Sequence, residues 1–319
     1  MPNQVTLFNI MKTEKFSGKD EKSSLIKTQK KRTDKIISFL IYIVFLRVLY
    51  FLVPWYITLV LKYLDPDNIF LPTIFLMTSL ISTEICSNVM FGSLYCLEIP
   101  YFEKKKCSNE PWPWKTDQEK WRKDFKKILL GFFQIKLFFV PLFIFVFSYF
   151  APFFKITLDD IPSFPVFCFQ VTLKYILDDF GMYWQHRLMH LPFFYKFHKK
   201  HHEIIIPITI ADTHLHFVDF LTNVIATCVI TQMAFGTNFP LISHVASGVL
   251  ATWSAEEIHS GYEFDWSLAN ALPLSVTPKY HDDHHSRNLG NYGVHFQLWD
   301  KIFKSGQSET PIEDFSTKK

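Results

Sequence analysis

The histidines of this chain lie in clusters whose spacing suits metal binding. Three segments, which we call the histidine boxes, are His186-Arg-Leu-Met-His190, His198-Lys-Lys-His201-His202 and His281-Asp-Asp-His284-His285. Helical residues three or four positions apart lie on one face, with Cβ atoms about 5–6 Å apart, so imidazoles from one box can converge on a metal. We therefore predict that all eight box histidines are metal ligands and form the catalytic site.

Two further histidines, His216 and His259, are candidate ligands on spacing, whereas His214, His244 and His295 are expected to be buried or hydrogen-bonded non-ligands. Eight to ten imidazoles exceed the needs of one ion, since a zinc site takes three or four protein ligands, so we predict two metal ions. Imidazole suits zinc, copper, iron and nickel alike. We expect some nearby carboxylates to orient imidazole N–H groups; they are Asp179, Glu203, Asp212, Asp219, Glu256, Glu257, Asp282 and Asp283.

The composition indicates a membrane protein. Of 319 residues, 49% are hydrophobic, 18% aromatic and only 20% charged, which leaves too little polar surface for two soluble domains. The net charge of +3 gives no reason to expect nucleic-acid binding. Five cysteines without a Cys-x-x-Cys pair predict neither a disulfide framework nor a thiolate zinc site.

The apolar segments that must position the boxes lie mostly before them. Four are long or apolar enough to be considered as membrane helices: 36–61, 71–97, 128–151 and 163–177. Lys and Arg are concentrated in the first 35 residues and in 98–127, with nine in each segment. Because cytosolic segments are enriched in these residues, we predict that both lie in the cytosol and that the histidine-rich half returns there.

The later apolar stretch 217–253 is interrupted near residue 239, and we predict a re-entrant hairpin there, because the boxes on both sides must share one membrane face. The predicted fold is therefore all-α and integral to the membrane, with about four transmembrane helices and a cytosol-facing, histidine-rich catalytic domain. The predicted divisions are a basic cytosolic tail (1–35), an anchor of transmembrane helices (36–177) and a histidine-rich catalytic domain (178–319).

The boxes and the residues between them resemble the fatty acid hydroxylase superfamily, which includes the sterol desaturases, from about residue 177 to 303. The matching segments are Asp178 to His190, Phe194 to Glu203, His216 with Asp219, His259-Ser-Gly-Tyr262, His281 to His285, Gly290-Asn-Tyr-Gly293 and Leu298-Trp-Asp300. The His259-Ser-Gly-Tyr262 element is similar to the C-4 methylsterol monooxygenases. The Asn291-Tyr-Gly and Leu298-Trp-Asp segments are similar to the sterol C-5 desaturases.

The resemblance implies two iron ions held by the boxes, O₂ as cosubstrate, and electrons from cytochrome b5 or an NAD(P)H reductase. It further implies a sterol or related lipid substrate, most closely a C-4 methyl group in sterol biosynthesis, and residence in the endoplasmic reticulum membrane as a multi-pass protein. The alternatives are sterol C-5 desaturation, another lipid hydroxylation of the same superfamily, and a zinc-dependent membrane hydrolase using metal-bound hydroxide.

Overall fold

The computed structural model describes residues 4–65, 70–150, 161–236 and 239–307. Within these ranges the chain is helical and contains no β-strand, which confirms the predicted all-α class. The α-helices are α1 (Gln4–Leu61), α2 (Leu71–Leu97), α3 (Pro100–Glu103), α4 (Pro113–Thr116), α5 (Gln118–Gln134), α6 (Val140–Phe150), α7 (Phe164–Met189), α8 (Tyr195–His198), α9 (Phe217–Phe235), α10 (Leu241–Ile258), α11 (Pro278–Arg287) and α12 (Leu298–Ile302).

Three helices within the described ranges are long and apolar enough to cross a membrane, rather than the predicted four. Two belong to predicted segments, Arg32–Leu61 of α1 and Ile74–Leu97 of α2. The third is α9, the first leg of the predicted hairpin. Large apolar side chains such as Phe51 and Val89 are exposed on these helices, as expected for surfaces that face lipid.

The other two predicted spans take different forms. The segment 128–151 begins inside α5, passes through a π-helical turn at Ile135–Phe139 and continues as α6, while residue 151 lies outside the described ranges. The segment 163–177 is the first half of α7, whose second half is charged and carries the first box. Both segments nevertheless expose large apolar side chains, such as Phe138 and Phe169.

Helix α7 lies at the centre of the catalytic half. It packs against both α9 and α10, so the two legs of the predicted hairpin are arranged around α7. A hydrophobic core joins α7 and α10 to the membrane helices α1 and α2. The fully buried residues of this core include Leu46, Phe75, Phe167 and Ala246. The core fixes the N-terminal half of α7, and the first box lies at the C-terminal end of the same helix.

Candidate metal centre

The structure gathers nine of the ten predicted ligands into two groups of imidazoles. Within each group one nitrogen of every ring lies within 4.8 Å of those of the other rings. The first cluster is His186, His190, His198, His202 and His284. The second cluster is His201, His259, His281 and His285. Each cluster could hold one metal ion, in keeping with the predicted pair.

Each box with the His-x-x-His-His pattern contributes to both clusters. This differs from the prediction that the histidines of one box lie on one helix face and converge on one metal. In the second box, His198 and His202 are four residues apart and share the first cluster, while His201 belongs to the second. In the third box, His281 and His285 share the second cluster and His284 joins the first. Adjacent residues of a helix point about 100° apart, so each His-His pair bridges the two sites.

The third box is a short helix with well-defined ends. The Thr277 side chain caps α11 by accepting the N–H of Tyr280, and Pro278 occupies the first turn, where its missing N–H costs nothing. At the other end, Asn288 adopts a left-handed conformation and donates its N–H to the His284 carbonyl at 2.7 Å. These caps hold three ligand histidines in one helical register.

The nitrogens that face one another are spaced as adjacent ligands of one metal ion would be. The Nε2 atom of His281 lies 2.9 Å from that of His259 and 3.1 Å from that of His285. In the first cluster the Nε2 atoms of His198 and His202 are 3.1 Å apart. Ligand nitrogens at about 2.1 Å from an ion and at right angles to each other would be separated by about 3 Å.

Many of the ligand rings also have a buried nitrogen without a hydrogen-bonding partner. Among the described residues these are Nε2 of His186, His190 and His284, and Nδ1 of His201, His202, His281 and His285. Buried polar atoms are normally hydrogen-bonded, so an unsatisfied set of this size is unusual for a protein core. The unpartnered Nε2 atoms of the first cluster and the facing Nε2 pairs of both clusters fit two bound metal ions, whereas the unpartnered Nδ1 atoms lie on rings whose Nε2 faces the cluster.

Burial favours the neutral, metal-binding form of several rings in each cluster. Burial lowers the pKa of His186 to about 3 and that of His202 to about 2, and the neighbouring His198 imidazole adds to both shifts. Burial also lowers the pKa of His284 and His285 far below the usual value for histidine. A neutral imidazole has a free lone pair for a metal without first losing a proton.

The first cluster is oriented by a carboxylate and by a loop. His198 Nδ1 lies 2.7 Å from the Asp219 carboxylate, which also accepts from the Gln185 amide at 2.9 Å. His186 Nδ1 donates to the Tyr292 carbonyl at 2.9 Å, and His284 Nδ1 donates to the Gly290 carbonyl at 2.6 Å. Each of these bonds fixes the proton on Nδ1 and directs Nε2 towards the metal.

The loop that supplies both carbonyls is Gly290-Asn-Tyr-Gly293. Asp300 holds it in place by accepting the N–H groups of Tyr292 and Gly293, at 3.0 and 2.7 Å. A side chain at Gly293 would overlap the backbone carbonyl of Phe296, so the close approach of the chain requires glycine there. The resemblance included this segment, and its role in orienting His186 and His284 emerges only from the fold.

The second cluster is oriented mainly through His259, at the C-terminal end of α10. Its Nδ1 donates to the Ala255 carbonyl at 2.7 Å and lies 3.4 Å from the Asp212 carboxylate. With the proton on Nδ1, the Nε2 lone pair points to His281 and to His201, at 2.9 and 3.3 Å. His259 lies outside the three boxes in the sequence. The tertiary fold brings its ring next to His201 of the second box and His281 of the third.

His216 is the predicted ligand that lies in neither cluster. Its ring caps α9 by accepting the N–H of Val218 at 3.1 Å and packs against Phe197. A polar side chain directly before an apolar helix is a capping signal, and it could have been recognised in the sequence. His214, His244 and His295 also lie outside both clusters.

Among the carboxylates considered, Asp219 and Asp212 contact ligand imidazoles, and Glu203 contacts the non-ligand His214 at 3.2 Å. Asp179 instead accepts the backbone N–H groups of His295 and Phe296, and burial raises its pKa to about 7. This carboxylate therefore anchors the segment after the third box to α7.

The segment that contains both clusters matches a known family. The fatty acid hydroxylase family model matches residues 171–305. This segment is a fatty acid hydroxylase domain. It includes every member of the two clusters, and its limits run from the second turn of α7 to just beyond α12.

The sequence similarity between this chain and known proteins extends beyond the hydroxylase domain. A C-4 methylsterol oxidase of Candida albicans is 35% identical over 64% of this chain and 65% of its own length. A methylsterol monooxygenase of Aspergillus fumigatus is 30% identical over 56% of this chain and 60% of its own. A very-long-chain aldehyde decarbonylase of Oryza sativa is 35% identical over 45% and 54%. The chain thus spans less than two thirds of these relatives, and no solved structure shows significant similarity to it.

A largely apolar cavity of about 320 Å³ lies beside the second cluster, between the hydroxylase domain and the helices that precede it. Its wall includes Asp212 and Ala255, the two residues that contact His259 Nδ1. One face of α9 lines it, with side chains at three- and four-residue intervals; they are Phe220, Asn223, Val224, Thr227, Cys228 and Thr231. The opposite face exposes Ile225, Val229 and Met233, so α9 separates the cavity from the surroundings of the helix.

Proposed function

We propose that this protein is an O₂-dependent sterol monooxygenase that oxidises a C-4 methyl group in sterol biosynthesis. The observation that carries the proposal is the pair of imidazole clusters, the second of which lies beside a largely apolar cavity. The similarity to C-4 methylsterol oxidases supports the substrate class. A cavity of this size with few polar groups suits a lipid that is held mainly by apolar contacts.

Iron is the metal proposed for both clusters, and when bound it would supply the activation of O₂ and the removal of hydrogen from an unactivated C–H bond. The ligands would be the five imidazoles of the first cluster and the four of the second. Asp219 and the loop Gly290-Asn-Tyr-Gly293 hold the ligand rings in one orientation. The apolar walls of α2, α6 and α9 keep water away from the methyl group.

The membrane arrangement belongs to the same proposal. The anchor (36–177) and the α9 helix would set the cavity at the depth of the bilayer, so a sterol could enter from the lipid. The catalytic unit (178–319) would face the cytosol, within reach of cytochrome b5 or an NAD(P)H reductase. The proposed location is the endoplasmic reticulum membrane, with the basic segment 1–35 also on the cytosolic side.

The test uses the full chain purified in lipid nanodiscs. Metal analysis is expected to give two irons per chain, and a C-4 methylated sterol should be oxidised only when O₂ and reduced cytochrome b5 are both supplied. Active protein that contains one zinc and no iron would overturn the proposal. Activity without O₂ or reductant would favour the zinc-dependent hydrolase instead.

A second candidate is sterol C-5 desaturation, favoured by the Asn291-Tyr-Gly and Leu298-Trp-Asp segments. Hydroxylation and desaturation both begin with removal of hydrogen from carbon, so the same metal clusters could serve either outcome. Sterol mass spectrometry with and without the gene separates them. Accumulation of C-4 methylated sterols supports methyl oxidation, and loss of a ring double bond supports desaturation.

A further inference from the structure

His295 is a buried histidine in the cavity wall that the two clusters do not use. Its side chain is 1% exposed, and it is part of the cavity lining. Neither of its ring nitrogens has a hydrogen-bonding partner among the residues that the structure describes. It is the one histidine in those ranges with both nitrogens buried and unpartnered. A protein core rarely leaves such a ring unsatisfied, so a polar ligand group that reached this part of the cavity wall would supply the partner that the chain does not.

The ring is held rigidly in this position. The backbone N–H of His295 donates to the Asp179 carboxylate at 2.7 Å, and the backbone carbonyl of His295 accepts the N–H of Val276 at 2.8 Å. Its ring packs on that of Tyr175, with centroids 4.5 Å apart. The Tyr175 hydroxyl in turn donates to Ser254 at 2.7 Å. A polar group fixed in this way costs little further ordering when a ligand binds.

The chemistry of the ring selects the kind of group that would bind. Burial lowers the pKa of His295 to about 3, so the ring is neutral and offers one N–H donor and one acceptor nitrogen. A hydroxyl group has the matching pair of functions, since it donates one hydrogen and accepts at its oxygen. A carboxylate or phosphate would only accept.

The charges in the cavity wall also argue against an anionic lipid. Lys136 is paired with Glu84, and Lys174 is paired with Asp178. Both cavity lysines are therefore neutralised by their own carboxylates, and Asp212 adds a further acidic group to the wall. No excess positive charge is left there to hold the head group of a fatty acid or a phospholipid.

We propose that the His295 imidazole recognises the hydroxyl group of a neutral, single-alcohol lipid bound in the cavity. This inference rests on the proposed function and names the recognition element of that same site: for a sterol, the group is the 3-hydroxyl, next to the C-4 methyl group. His295 is then a positioning residue for substrate and does not contact the metal clusters.

The experiment compares 4,4-dimethylcholestanol with its 3-deoxy analogue as substrates of the iron-loaded full chain in nanodiscs. His295→Phe keeps a flat ring but removes both hydrogen-bonding atoms. We expect KM for the alcohol to rise about tenfold or more, with KM for the deoxy analogue unchanged and the iron content at the wild-type level. His295→Gln, which retains a donor and an acceptor, should recover part of the loss.

The matched control is His214→Phe, at another buried histidine outside both clusters that does not line the cavity. It should leave KM for the alcohol unchanged. Equal KM values for wild type and His295→Phe with the alcohol would overturn the inference.

Equilibrium binding of the tritiated alcohol, without turnover, separates the inference from the proposed function. Wild-type protein that binds the alcohol at least about tenfold more tightly than His295→Phe, yet oxidises no sterol, would support hydroxyl recognition and refute the monooxygenase. Wild type and His295→Phe with the same Kd would refute the inference whether or not the protein is active. If His295→Phe does not fold, His295→Leu, which also lacks both hydrogen-bonding atoms, replaces it in the same measurements.

Discussion

The two imidazole clusters differ in how they are held and in what lies next to them. In the first cluster, His186, His198 and His284 each have an Nδ1 partner, supplied by two loop carbonyls and one carboxylate, while Nδ1 of His202 is unpartnered among the described residues. In the second cluster, His259 has such a partner, while Nδ1 of His201, His281 and His285 is unpartnered among the described residues. The second cluster also adjoins the cavity.

This difference indicates a division of labour between the two sites. Five imidazoles in a tightly oriented cluster leave few positions for other ligands, as in a metal site that mainly holds its ion. Four imidazoles beside a cavity leave more positions open, which is the arrangement of sites that bind substrates. We therefore expect changes near the first cluster to affect metal retention, and changes near the second to affect the reaction with the lipid.

The largest effect is expected from loss of a ligand in either cluster. His284→Ala removes an imidazole from the first, and His201→Ala removes one from the second. Each should lower bound metal and reduce turnover more than about 100-fold, because loss of a ligand exceeds the effect of losing a group that only orients one. Metal analysis and turnover in nanodiscs check this. Normal turnover in either variant would refute the ligand assignment.

A change in the loop should disturb the first cluster without touching a ligand. In Gly293→Ala the new methyl group would overlap the Phe296 carbonyl, so the loop must move and carry with it the carbonyl that orients His186. We expect turnover to fall about 10- to 100-fold, together with a lower Tm. Gly92→Ala is the matched control, because open space surrounds the added carbon there. Unchanged turnover in Gly293→Ala would contradict the orienting role.

The carboxylates next to the clusters offer a direct comparison of the two sites. Asp219 lies 2.7 Å from His198 and is buried, whereas Asp212 lies 3.4 Å from His259 and is partly exposed. Asp219→Asn should weaken metal binding about tenfold, and Asp212→Asn should weaken it less. Metal titration of the two variants measures the difference. The reverse order would show that the second cluster depends more on its carboxylate.

The smallest effect is expected at His244, which lies in the cavity wall but in neither cluster. His244→Ala should retain wild-type metal content and turnover within about twofold, because no proposed ligand is removed. The same assays used for the ligand variants apply. A loss of metal in this variant would place a third site in the cavity, and the two-cluster arrangement would then be incomplete.

The grouping of the box histidines was predictable because its signal is local. A spacing of three or four residues in a helix brings side chains together whatever the rest of the fold does, and the capped helix α11 shows the expected geometry. The division of each box between two clusters was not predicted, because it depends on which partners surround adjacent histidines such as His201 and His202. The sequence made His259 a candidate ligand and Asp219 a candidate orienting carboxylate, and the packing of distant helices decided which imidazoles they contact.

The sequence by itself determined the helical class, the apolar character of the chain and the residues of the three boxes, since each depends on composition or short-range periodicity. Only the tertiary structure decided that α9 and α10 pack on α7, that His216 caps a helix, and that His295 lines a cavity. These features arise from packing between distant segments, where burial and hydrogen bonding depend on neighbours that no local pattern specifies.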